Sequence, residues 1–74
     1  MEAVIGARYK HFKGGIYKVI NIATCSETQE EYVVYKSEET NKVWIRPYKM
    51  FCQKVDKEKH PEVEQEYRFE YIGK

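Results

Sequence analysis

Two histidines, two cysteines and one arginine placed directly before a proline are the residues with the most chemistry to offer: His11, His60, Cys25, Cys52 and Arg46. Cys25 with His11 and Asp56 has the residue types of a thiolate, a base and an orienting group, but no local signature of a cysteine nucleophile surrounds any of them. Cys25, Cys52, His11 and His60 have the types of a Cys₂His₂ zinc set, yet no pair among them shows the close spacing that structural zinc sites use. The residues therefore point away from an enzyme and imply no metal or cofactor. Arg46 is a stronger candidate. It lies in the stretch from Val43 to Phe51, Val-Trp-Ile-Arg-Pro-Tyr-Lys-Met-Phe, beside the only Trp of the chain. Pro47 biases it toward extended geometry, so its guanidinium is aimed rather than free. Such a group holds a carboxylate or phosphate with two prongs.

A second chemistry is written in the basic residues interleaved with aromatics, Arg8 to Lys18 and Lys42 to Lys49, which could stack bases and hold phosphates as barrel-type RNA binders do. The charge argues against it. The net charge is only +1, whereas a strong grip on nucleic acid usually shows as a clearly basic domain. The charges alternate in blocks along the chain, with net +3 over residues 1–25, −4 over 26–40, +4 over 41–59 and −2 over 60–74. On neighbouring strands such blocks face opposite charges across a sheet.

The elements that must position these groups are mostly strands. A chain of 74 residues is one domain, near the size at which a single core becomes marginal. Its 42% hydrophobic content and seven Tyr place it among folded rather than disordered chains. Residues 1–5 read as a loosely held lead-in, residues 6–72 as the domain, and 73–74 as a tail. Ala7 to Phe12 predicts a first strand, whose mixture of charges and aromatics suits a sheet edge. Gly14-Gly15 then signals a two-residue hairpin, with His11 opposite Lys18 and Tyr9 opposite Ile20. Ile16 to Ala23 is apolar in both phases and reads as a central strand. Cys25 to Glu30 reads as a turn, Tyr32 to Tyr35 as a strand, and Ser37 to Lys42 as the hairpin into Val43–Ile45. Pro47 ends that strand, and a short helical turn folds Met50 or Phe51 back onto the core. Cys52 to Val55 reads as a continuing strand, Asp56 to Glu66 as an exposed loop, and Tyr67 to Tyr71 as a last strand with Tyr67, Phe69 and Tyr71 inward. These elements predict an all-β, mainly antiparallel domain: a small, strongly bent SH3-like barrel of five or six short strands with one helical turn after Pro47. No run of residues is apolar enough for a signal segment or a membrane span, which with two reduced cysteines suggests a cytoplasmic protein.

Six motifs in order, Gly6-x-x-Tyr9-x-His11-Phe12-Lys13-Gly14, Tyr17-x-Val19, Ser26-Glu27-Thr28, Val33-Val34-Tyr35, Trp44-x-Arg46-Pro47 and Met50-Phe51, resemble the domain of unknown function 1653 family of small bacterial proteins. The resemblance implies a compact, mostly β, stand-alone bacterial protein, and no established activity, ligand or partner comes with it. The chain departs from the pattern at Cys25, where family members often carry His, so Cys25 is left out of the principal site.

The polar and amphipathic members of these motifs support two readings. In one, Ser26 and Thr28 form turns, Glu27 pairs with Arg46 or a Lys, and His11 is a satisfied edge residue. In the other, His11, Glu27, Tyr35, Trp44 and Arg46 gather at one end of the barrel and form a binding surface. The functional expectation is an uncharacterised, non-catalytic binding module that recognises a small polar or anionic ligand, or a protein partner, near Arg46 and His11. The alternative is an RNA or single-stranded nucleic-acid-binding barrel. Exposed tyrosines on an edge strand would also suit a homodimer.

Overall fold

Residues 1–74 of the computed structural model contain five antiparallel strands and one helical turn: β1 (Arg8–His11), β2 (Ile16–Thr24), β3 (Glu31–Ser37), β4 (Val43–Pro47), α1 (Tyr48–Phe51) and β5 (Phe69–Gly73). They form one sheet in the order β4-β3-β2-β1-β5. The fold is all-β and antiparallel with a single helical turn after Pro47, as the sequence predicts. The sheet does not close into a hydrogen-bonded barrel, because β4 and β5 each pair on one side only.

Three turns set the register. The β1–β2 loop is wider than a two-residue hairpin: the Gly14 N–H donates to the His11 carbonyl at 2.9 Å and the His11 N–H to the Gly15 carbonyl at 3.0 Å. Both glycines lie at positive φ, 107° and 89°, which only Gly adopts without strain. The strands consequently pair Tyr9 with Tyr17 and Arg8 with Lys18, three positions away from the tight-hairpin register. The β2–β3 turn carries Gln29 at φ 65° and the β3–β4 turn carries Asn41 at φ 62°, the left-handed conformation that lets each chain reverse.

The middle strand explains its own double apolar phase. The pairing of β2 with β3 shifts register between Val19 and Asn21, so Ile20 is an extra residue in a bulge. Tyr17 and Val19 face the core before the bulge and Ile22 after it, while Ile20 is turned outward. A bulge also bends and twists the strand that carries it.

The core is Ala7, Tyr9, Val19, Val33, Tyr35, Phe51 and Phe69. Phe51 is the side chain of α1 that folds inward, and it stacks on Phe69 with ring centroids 4.2 Å apart and planes 11° off parallel. Tyr9 and Tyr35 meet Phe51 edge-on, both at 5.4 Å. Such pairs add about 0.5–1.5 kcal/mol each beyond the area they bury.

Four further expectations are corrected. β1 is not an edge, since it lies between β2 and β5; it needs only Tyr9 for the core, while Arg8 and Lys10 point the other way. The lead-in is tied down: the Ala3 N–H donates to the Tyr48 hydroxyl at 3.0 Å, the Val4 N–H to the Tyr9 hydroxyl at 2.9 Å, and the Gly6 N–H to the Val19 carbonyl at 2.8 Å. The stretch after α1 is not a strand, although Lys54 bridges Tyr67 and Val55 is buried. In the last strand only Phe69 is fully inward; Tyr71 is 55% exposed because the sheet's outer edge leaves it half covered by Tyr9.

Candidate functional site

A cavity of about 200 Å³ opens on the core side of the sheet, lined by His11, Tyr17, Tyr35, Trp44, Arg46 and Phe69. Every strand contributes. His11 ends β1, Tyr17 lies early in β2, Tyr35 is in β3, Trp44 and Arg46 are alternate residues of β4, and Phe69 opens β5. Alternation explains β4, where residues two apart share a face, and the cross-strand pairs Tyr35–Trp44 and Val33–Arg46 fix that face as the core side.

Arg46 joins the two unpaired edges of the sheet. Its guanidinium carbon sits 5.9 Å from the Phe69 ring centroid, and its Nε donates to the Tyr35 hydroxyl at 3.3 Å. No carboxylate pairs with it: the ion pairs of the chain are Arg8–Glu38 and Lys54–Glu66. Nε is thus anchored within the site, and the guanidinium retains further N–H donors. The cationic group lies against an aromatic face, an arrangement that is favourable in itself and also fixes its direction.

His11 packs edge-on against Phe69 at 4.8 Å and against Tyr17 at 6.2 Å. Its Nδ1 accepts the Lys13 N–H at 3.1 Å, which leaves the proton of the neutral ring on Nε2. Burial pushes its pKa below the usual 6.5, and the positive charges of Arg46, Arg68 and Lys13 push in the same direction. The site is therefore a set of aromatic walls with a neutral imidazole and one guanidinium, in a locally positive field. Trp44 remains 43% exposed at its rim, with Lys42 Nζ 4.5 Å from its ring centroid.

Of the residues singled out in the sequence, His11, Tyr35, Trp44 and Arg46 meet at this cavity. Glu27 does not; it lies in the β2–β3 turn with Cys25, Ser26 and Thr28, and neither lines the cavity nor pairs with Arg46. There Thr28 accepts the Glu30 N–H at 3.2 Å, a turn-forming bond. Tyr17 and Phe69 were missed as site residues. Tyr17 belongs to the Tyr-x-Val motif, and Phe69 lies in the alternating last strand, but both read as core aromatics. No group of three or more His, Cys, Asp or Glu is placed to hold a metal ion, and both cysteines are free.

No curated protein and no solved structure matches the chain. Residues 7–71, which carry β1 to β4, the start of β5 and the whole of the cavity lining, match the family described as protein of unknown function (DUF1653), and the chain belongs to that family.

Proposed function

We propose that this protein is a non-catalytic recognition module whose cavity takes an anionic group, from a small polar ligand or from a protein partner. The observation that supports this reading is the position of Arg46, held by the Tyr35 hydroxyl and the Phe69 ring at the meeting point of all five strands, without a carboxylate of its own. A cation kept in an aromatic site unpaired is set up to receive an anion. The two free cysteines fit a reducing, cytoplasmic setting, and no helix of the chain is long and apolar enough to cross a membrane.

The test is a titration of the labelled protein with inorganic phosphate, acetate and N-acetylglutamate, following the His11, Trp44 and Arg46 side-chain resonances. Arg46→Lys should fold with an unchanged thermal midpoint and lose the response, because an ammonium does not reproduce the fork. Retention of full binding by both Arg46→Lys and Arg46→Ala would defeat the reading. His11→Ala should weaken the response more mildly.

A second reading is favoured by the exposed Trp44 ring beside Lys42, a pair that could stack a base and hold its phosphate. Binding of oligouridylate that shifts the same resonances and collapses steeply as salt rises would assign the site to single-stranded nucleic acid.

A further inference from the structure

We infer that the open edge of β4 docks an extended acidic segment of a partner protein as a sixth strand, one of whose carboxylate side chains enters the cavity beside Arg46. The inference rests on the anion-recognising reading of that cavity and names its occupant.

The ladder gives the geometry. The Ser37 N–H donates to the Lys42 carbonyl, and on the other side of β3 the Glu38 N–H donates to the Ile16 carbonyl of β2. Alternation along an antiparallel pair then turns the backbone groups of Trp44 and Arg46 toward β3 and those of Val43 and Ile45 outward. Pro47 is the next outward position, and it lacks the N–H that would be left unpaired there. Val43 and Ile45 therefore present a donor and an acceptor each to an edge that no other strand covers.

The side chains say what kind of strand fits. Val43 and Ile45 are 52% and 64% exposed on the outer face, while Trp44 and Arg46 line the cavity on the core side. A strand laid along this edge offers its side chains to the two faces alternately, so it needs apolar residues at one phase and an anion at the other. β4 and the residue before it carry positive charge only, Lys42 and Arg46, and no Asp or Glu occurs in the sequence from Asn41 to Val55. The cavity, at about 200 Å³, is smaller than the roughly 300–1,000 Å³ of sites that enclose a whole small ligand, and suits a single side chain. The opposite edge lacks these features, since β5 carries Glu70 and its pairing with β1 is broken by a register shift between Arg8 and Tyr9. Strand addition of this kind takes affinity from main-chain bonds and specificity from the pockets beside them.

The test uses a capped pentapeptide of alternating valine and glutamate, its analogue N-methylated at the amides that would face β4, a lysine-for-glutamate version, and N-acetylglutamate amide. The first peptide should shift the Trp44 and Arg46 resonances and slow exchange of the Val43 and Ile45 amide protons. N-methylation should weaken it about tenfold or more, the loss expected from main-chain bonds that cannot form, and the lysine version should not bind. Equal binding by the N-methylated peptide, or binding of N-acetylglutamate amide as tight as that of the pentapeptide, would overturn the strand while leaving the anion cavity standing. Silence of the cavity resonances toward every probe would overturn both. Protection of the Val43 and Ile45 amides without peptide, together with a dimer in sedimentation, would give the edge to a second copy of the chain and likewise overturn the inference.

Discussion

His11 loses proton affinity on folding, because its ring is taken out of water and faces Arg46, Arg68 and Lys13. Protonation therefore favours the unfolded chain. The stability that His11 contributes is fully present above its unfolded value near 6.5 and is lost as pH falls from there toward the lower folded value. Denaturant midpoints measured in pH steps should drop across that window, and His11→Gln should flatten the drop; an unchanged slope in the variant would place its origin elsewhere. An anion bound beside Arg46 should move the imidazole back up and bind more tightly as pH falls, which the ring's own chemical shift reports. The two cysteines differ in the same local way. Donation from the Thr28 side chain, then from the Thr28 and Glu27 backbone, holds the Cys25 thiol below its ordinary value, whereas burial pushes Cys52 up. Iodoacetamide should modify Cys25 first, and Thr28→Val should slow it. At this scale the sequence names polar groups well and their companions poorly. Arg46 and Trp44 stand out by type and by Pro47, but Tyr17 and Phe69 look the same whether a ring lies in a core or on a cavity wall. Glu27 has the same standing in the sequence yet lies away from the cavity, because a motif carries no direction in space.

Among the elements, the β1–β2 turn governs what reaches the site. At Gly15 the backbone has φ +89°, and an added Cβ would meet the Tyr17 ring at 3.3 Å. Gly15→Ala should cost about 1–2 kcal/mol through the left-handed backbone alone, read as a lower thermal midpoint, and should also displace Tyr17 from the cavity wall. A midpoint equal to that of the parent would show that the turn relaxes freely. β2, β3 and β4 are legible from β-branched and aromatic runs and β5 from its alternation, whereas the same reading adds a strand at Cys52 to Val55 that does not form; Pro47 marks the end of β4 and the turn that follows. Register is not legible. A glycine pair can make the tight turn itself or, as here, sit at its exit after Phe12 and Lys13, and that choice displaces each partner in β1. The bulge at Ile20 was equally hidden, since a strand apolar in both phases looks the same whether it is buried on two faces or changes face midway.

For the molecule as a whole, Phe51 is the side chain on which the core depends. It is fully buried and touches Tyr9, Tyr35 and Phe69, so Phe51→Ala should cost about 3–5 kcal/mol. That is comparable with the roughly 3–5 kcal/mol a core of this size supplies. Phe51→Ala should therefore be largely unfolded at 25 °C by circular dichroism, and Phe51→Leu folded with a lowered midpoint; a cooperative, near-parental transition in the alanine variant would show that α1 is dispensable. The same dependence reaches the cavity, because Phe69 is both the stacking partner of Phe51 and the wall behind Arg46. As the chain leaves the ribosome, the hairpins of β1 to β4 emerge before β5 does, and until Phe69 arrives Arg46 has no aromatic surface to rest on and β1 has no outer neighbour. The cavity is thus complete only once β5 has docked, and a sheet without β5 offers Arg46 no wall to lie against.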